Sequence, residues 1–241
     1  MRNYDAAKFI NDLSDLNLNL TEKQIEQFLV YYEMLAEKNQ VMNLTAITEY
    51  EDVMKKHFID SVSLVKACDL TGNMSVIDIG TGAGFPGLAL KIAFPDLELT
   101  LLDSLNKRIL FLNEVINKLD LQGIEAVHSR AEDYARQDNY RENFDLCVSR
   151  AVANLSTLSE YCLPFVKEGG MFIAYKSERI FEELSAANRA ISILGGELER
   201  QVEFTLPNSD IYRNLVVVRK KTATPERFPR KSGLPGREPL H

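Results

Sequence analysis

The sequence lacks the features that would send a chain into a membrane or out of the cell. No apolar run approaches the roughly 18 to 20 residues needed to cross a bilayer. The N-terminus, Met1-Arg2-Asn3-Tyr4-Asp5, soon reaches polar residues and has no signal-peptide apolar core. Cysteine is scarce. Cys68, Cys147 and Cys162 lie among apolar neighbours, with no CxxC spacing and no histidine pair nearby. That pattern argues against a zinc site and against a disulfide framework, so no metal is expected and reduced thiols in a cytoplasmic protein are. There is also no internal repeat and no low-complexity segment. With 241 residues, 45% hydrophobic and 26% charged, the chain has room for one large globular domain and a smaller appendage.

The net charge of −7 by itself disfavours a nucleic-acid partner, but its distribution matters more than its sum. From Arg219 onward there are seven basic residues (Arg219, Lys220, Lys221, Arg227, Arg230, Lys231 and Arg237) against Glu226 and Glu238. A basic, Pro-rich tail on an acidic body is either a phosphate-binding arm or a solvated terminus, and composition leaves the two about even.

Residues 1–70 read as a helical N-terminal region. Thr21 followed by Gln24 is a capping-box signature, and Ile25, Phe28, Leu29, Tyr32 and Leu35 then share one face. Thr48 with Glu51 repeats the signature, and a short non-helical join, Val41 to Thr45, separates the two. Over residues 71–220 the period changes. Strand-like runs at 76–79, 97–102, 124–128, 144–149 and 171–175 alternate with helical patterns at 86–93, 106–119, 155–162 and 178–194. Such alternation predicts an α/β fold with a parallel sheet covered on both faces. The last two runs, 198–205 and 211–219, are joined by five residues, too few for a crossover helix, so they form an antiparallel C-terminal hairpin. That ending is the pattern of Rossmann-like methyltransferases rather than of dehydrogenases. Residues 221–241 form the remaining basic tail.

The most informative stretch is Asp78-Ile79-Gly80-Thr81-Gly82-Ala83-Gly84-Phe85-Pro86-Gly87, at the turn from the first strand into the first helix. Ligands bind at that edge of open α/β sheets. The segment formally contains GxGxxG, a weak signal for a dinucleotide. Three features favour the sulfonium cofactor S-adenosylmethionine instead. Gly80 opens the turn directly after the strand, the final hairpin is antiparallel, and Asp78 would set a carboxylate near a cationic methionine end while repelling a pyrophosphate. By the same logic Gly82 and Gly84 admit the ligand to the backbone. Asp103, closing the second strand, can accept from both ribose hydroxyls, a role shared with nucleotide sites. Ala131 and Glu132 follow the third strand, where an adenine ring should lie, although acids there can also cap a helix. Arg150 follows the fourth strand. It could hold the methionine carboxylate or an RNA phosphate, or serve as a structural ion pair.

Taken together these residues resemble the GidB/RsmG family of bacterial small-subunit rRNA methyltransferases. The resemblance is carried by Met42-Asn43-Leu44-Thr45, His57-Phe58-Ile59-Asp60-Ser61, the run from Asp78 to Gly87, and Leu102 to Arg108. Ser129-Arg130-Ala131-Glu132, Ser149-Arg150-Ala151 and Phe228 to Pro235 complete it. It covers nearly the whole chain and implies a class I S-adenosylmethionine-dependent fold with a helical N-terminal extension. It also implies methyl transfer to N7 of a guanine in the decoding-region loop of 16S rRNA, with S-adenosylhomocysteine as product. Gly80, Phe85, Ala131, Glu132 and Arg150 would be cofactor residues on that basis.

Guanine N7 needs no general base, so no catalytic acid–base residue is expected. For the substrate side His57, Arg150, Lys176 and Arg213 are candidates, though packing and capping explain His57 and Asp60 equally well. Lys55, Lys56 and the tail would supply phosphate contacts. The expected partner is 16S rRNA or the 30S subunit, met by a cytoplasmic monomer with no membrane association. The rivals are a small-molecule or different RNA methyltransferase, an NAD-binding oxidoreductase, and a non-catalytic RNA-binding protein.

Overall fold

Five parallel strands, β1 (Ser75–Ile79), β2 (Glu98–Asp103), β3 (Ile124–His128), β4 (Phe144–Arg150) and β5 (Val166–Lys176), carry the alternating half of the sequence. The hairpin β6 (Gly196–Thr205) and β7 (Tyr212–Lys220) inserts its second strand antiparallel against β5, giving the order β3-β2-β1-β4-β5-β7-β6. The computed structural model describes residues 4–150, 153–177 and 180–240. The central strands are almost wholly buried, as a parallel sheet covered on both faces requires, whereas edge strand β6 alternates between exposed and half-buried positions.

Helices α1 (Ala7–Asp15), α2 (Glu22–Met42), α3 (Tyr50–Val53) and α4 (Asp60–Val62) precede the sheet, with a π-helical turn Met54–Ile59 between the last two. After the first strand come α5 (Gly87–Ala93), α6 (Asn106–Lys118), α7 (Ala131–Tyr134), α8 (Leu155–Cys162), α9 (Phe181–Ile193) and α10 (Leu234–Arg237). Among the described residues no helix is long and apolar enough to cross a membrane.

The N-terminal helices share one core with the sheet. Phe9, Phe28, Tyr31, Leu35 and Phe58 belong to the same buried cluster as Val76, Leu88, Leu101, Ile173 and Val217. Each fully buried Phe of this kind contributes about 1.5–3 kcal/mol. Polar links fix the docking angle. The capping box of α2 forms as its sequence predicts, and Gln24 closes it while its amide nitrogen donates to the Ile92 and Ala93 carbonyls ending α5. One side chain thus satisfies the start of one helix and the end of another.

Two local expectations differ from the structure. The second capping signature does not cap. α3 starts after Glu49 with no side-chain cap, and Thr48 offers its carbonyl to the Tyr32 hydroxyl at 3.2 Å. Contacts among Tyr4, Tyr32 and Tyr50 outweigh the local preference there. The join expected from Val41 begins only after Met42, where Asn43 adopts a left-handed conformation.

The tail is neither a solvated end nor a free arm, because the body neutralises much of its charge. Lys220 is buried and bonds Glu142, the Leu163 and Val166 carbonyls and Thr224. Arg219 pairs with Glu199 and Lys221 with Glu197. Arg230 forks onto Glu160, whose side chain is 0% exposed. Arg136 and Arg141, from the body, clasp the carbonyls of Thr224, Phe228 and Pro229. Removing one partner of a buried pair strands the other charge, which outweighs the modest net value of the pair itself. Arg230→Ala should therefore lower unfolding free energy by about 3 kcal/mol, measured by urea denaturation. A loss below about 1 kcal/mol, the scale of a surface pair, would show that Glu160 is not held by this arginine.

Candidate active site

The glycine loop leaves β1 with positive φ at Gly80, Gly82 and Gly84 (71°, 62° and 105°). Gly84 has a second reason to lack a side chain, since a Cβ there would lie 2.5 Å from the Tyr31 hydroxyl. Hydrogen bonds pin the loop from three sides. Gly87 N–H donates to Asp78 Oδ2 at 2.8 Å, Gly82 N–H donates to Asp103 Oδ2 at 2.9 Å, and the Tyr31 hydroxyl donates to the Ala83 carbonyl. Asp103 also accepts from Leu105 N–H and from Arg108, so the acid that closes β2 helps to hold the loop.

Asp78 is wholly buried, and burial raises its pKa to about 6 despite the opposing Gly87 N–H and Arg150 charge. The buried Thr81 side chain beside this carboxyl opposes the rise as well, more than either of those two.

Phe85 is sandwiched. Tyr31 stacks on it at 5.5 Å, His57 stacks at 4.4 Å with planes 12° apart, and the Arg150 guanidinium lies 5.1 Å from its ring. The π-helical turn presents His57 here, a distortion often found where a helix must deliver one side chain to a site. An Arg150 nitrogen, which can only donate, sits 3.2 Å from His57 Nδ1. Nδ1 therefore accepts, and Nε2 carries the proton that it gives to Thr45 Oγ1 at 2.8 Å. Burial, then the charge of Arg150, lowers the His57 pKa to about 3, so the ring is neutral at physiological pH.

Sheet register explains the cationic floor. Arg150 ends β4 opposite Tyr175, Lys176 ends β5 opposite Asn214, and Arg213 begins antiparallel β7 at the same edge. Asp60, buried on α4, accepts from Arg150 at 2.9 Å and from Arg213 at 2.6 Å. One carboxylate against two guanidiniums leaves positive charge facing the cleft. Lys176 is matched by Glu183 at 2.6 Å.

Two clefts open along this edge. A larger one of about 650 Å³ is lined by Gly80, Gly82, Phe85, Asp103, His57 and Arg150, with Lys176 and Arg213 also on its wall. A second, of about 470 Å³, has Ala131 and Glu132 on its wall and shares Gly80, Asp103 and Ser104 with the first. Of the candidate cofactor residues, Asp78 and Gly84 line neither cleft. Asp78 lies buried, bonded to Gly87 N–H, and Gly84 packs against Tyr31. Lys55 is also absent, being buried against Asp12 and bonded to the Pro207 carbonyl rather than free for phosphate. Sequence reasoning missed Tyr31, Thr45's bond to His57, and the wall residues Tyr161 and Gly236. Tyr31 sits among helical core positions, and no local pattern marks the other contacts.

A family profile described as rRNA small subunit methyltransferase G matches residues 24–212. The chain belongs to this family. Its similarity to individual members extends end to end. The ribosomal RNA small subunit methyltransferase G of Lachnoclostridium phytofermentans is 53% identical over 98% of both chains. That of Clostridium perfringens is 50% identical over 100% of both. Among solved structures, the YcgJ protein of Bacillus subtilis matches 69% of this chain and 100% of its own with a TM-score of 0.52 at 12% identity. TrmN from Thermus thermophilus matches 66% of this chain and 48% of its own with a TM-score of 0.51 at 17% identity. At such identities the structures speak to the fold alone. The family match takes in Tyr31 on α2, the glycine loop and Arg150, and it ends one residue before Arg213.

The buried neutral state of His57 has a measurable consequence. Its folded pKa of about 3 lies below the ordinary 6.5, so its contribution to stability is present above pH 6.5 and is lost as pH falls towards 3. Thermal midpoints of His57→Gln should decline less steeply than those of the unaltered chain across this acid range. Parallel declines would show that the ring is not held neutral.

Proposed function

We propose that the chain transfers a methyl group from S-adenosylmethionine to N7 of a guanine in the decoding-region loop of 16S rRNA, releasing S-adenosylhomocysteine. The observation that carries this reading is the pair of clefts meeting at Gly80 and Asp103, one ending at Glu132 and the other at His57 and Arg150. An elongated cofactor with an adenosine end and an amino-acid end fits such a divided groove. Gly82 supports the fit, because among the described residues a Cβ there would find only the Gly80 carbonyl, at 3.9 Å, so its backbone is open to a ligand.

In this reading Ala131 and Glu132 hold the adenine end and Asp103 holds the ribose. Gly80, Gly82 and Phe85 line the middle. Arg150, with Arg213 beside it, holds the methionine carboxylate or the phosphate of the target nucleotide. When bound, S-adenosylmethionine supplies an electrophilic methyl group on a sulfonium centre. Guanine N7 has an in-plane lone pair and carries no proton, so the chain need not supply a base. The neutral His57 suits that requirement, since a residue held near pKa 3 has little capacity to take up a proton. What the chain supplies is alignment. Phe85 is fixed by its two ring neighbours, Arg150 is fixed by Asp60, and the loop is fixed by three hydrogen bonds. His57, stacked on Phe85, is the aromatic ring on the wall of the larger cleft beside which an extruded base can lie, and only an irregular or opened RNA segment could present N7 there. Lys56, on the wall of the larger cleft and paired at its surface with Asp52 at 2.8 Å, is suited to a backbone phosphate. The same reading makes the 30S subunit or its RNA the partner of a cytoplasmic monomer.

The test is methyl transfer from labelled S-adenosylmethionine to 30S subunits and to naked 16S rRNA, with the modified nucleotide mapped. N7-methylguanine in the decoding-region loop is the expected product. Asp103→Ala should reduce kcat/KM about a hundredfold, because it frees the glycine loop as well as removing a ligand contact. Cofactor binding without RNA methylation would overturn the substrate, and no cofactor binding would overturn the whole reading.

A further inference from the structure

The C-terminal segment has a position that its composition does not announce. Residues 230–237 run across α7 and α8, the two helices flanking the smaller cleft, and are bonded to both. On α7, Glu132 Oε1 accepts from Gly233 N–H at 2.7 Å, and Asp133 Oδ1 accepts from the Ser232 hydroxyl at 2.6 Å. On α8, the Thr157 hydroxyl donates to the Pro235 carbonyl at 3.0 Å. Glu160 accepts from Arg230 through its backbone N–H and its guanidinium. Gly236, directly after the last of these attachments, is itself part of the cleft wall, together with Tyr161 and Asn154.

From this geometry we infer that the 230–237 strap is a positioning element of the adenosine site, with Gly236 and Tyr161 forming the wall against the adenine ring. The inference deepens the proposed function and rests on the reading that the clefts take S-adenosylmethionine. Three observations carry it. The strap's bonds join α7 to α8, so they set the width of the cleft. Glu132, the acid that would meet adenine, has one carboxylate oxygen oriented by the strap's own N–H, leaving the other with no hydrogen bond among the described residues. The Tyr161 hydroxyl also makes no hydrogen bond among the described residues, and it lies 3.3 Å from where a Gly236 Cβ would stand. A free hydroxyl can both donate and accept, as the edge of adenine requires. Nothing else among the described residues would meet a Cβ at Gly236 within 4 Å, so a larger side chain there would grow into space beside the cleft rather than into the core. Of the strap's three basic residues, Arg230 is committed to Glu160 and Arg237 donates to the Gly233 carbonyl at 3.3 Å, so these two shape the segment, while Lys231 is exposed.

The experiment is calorimetric titration of S-adenosylhomocysteine into the full chain and into Gly236→Leu, with cofactor-free thermal midpoints measured alongside. The leucine variant should bind at least about tenfold more weakly while keeping its cofactor-free midpoint. In methyl transfer the loss should appear in KM for S-adenosylmethionine more than in kcat, and the salt dependence of RNA binding should not move. Unchanged S-adenosylhomocysteine affinity in the folded variant would overturn the inference, all the more if RNA affinity and its salt slope changed instead. Should the leucine variant not fold, Tyr161→Phe decides. It removes a hydroxyl that makes no hydrogen bond among the described residues, and an affinity loss of about three- to tenfold supports the wall assignment while no loss overturns it. Failure of the unaltered chain to bind S-adenosylhomocysteine would remove the parent reading, and this one with it.

Discussion

The site depends on holding a loop of small residues still. Glycines at 80, 82 and 84 give the turn its shape and leave the backbone bare, but they bring no side chains with which to fix themselves. The surrounding protein therefore does the fixing. Asp78 grips the loop from beneath, Asp103 from the neighbouring strand, and Tyr31 from the N-terminal helices. Each hydrogen bond is worth only about 1 kcal/mol net, yet together they remove the freedom that glycine would otherwise retain. Because one of the three comes from α2, the helical region before the sheet is part of the site's framework.

The same logic extends to the charged side of the cleft. Arg150, Arg213 and Lys176 converge because parallel and antiparallel strands end or begin at one edge of the sheet. Left alone, three cations would repel one another. Asp60 and Glu183 bring them within bonding distance and leave a net positive surface. His57, pressed between Phe85 and Arg150, stays neutral because burial and adjacent cations both oppose its protonation. The result is a rigid aromatic and guanidinium wall, suited to a reaction whose nucleophile needs alignment and not deprotonation.

Charge at the C-terminus illustrates why composition is a poor guide to role. Seven basic residues from Arg219 onward suggest a phosphate arm. Most are matched by Glu142, Glu160, Glu197 and Glu199, acids spread over nearly sixty residues of sequence and gathered only by folding. Lys55 shows the same effect on a smaller scale, since Asp12 sits more than forty residues before it.

The sequence by itself determined the order of strands and helices, the antiparallel ending, the glycine loop and the acids at Asp78 and Asp103. These rest on period and on spacing within one turn, both of which are local. It also named Phe85, Arg150 and His57 through family resemblance, without showing that the three would touch. Tertiary structure decided the rest. It stacked Tyr31 and His57 on Phe85, divided one arginine pair around Asp60, buried Asp78 under the loop, and folded the basic tail over α7 and α8. Most of those outcomes depend on which surfaces meet across long stretches of chain, up to the 153 residues between Asp60 and Arg213, and the physics that selects them, burial and the pairing of buried charge, has no signature in any short stretch of sequence.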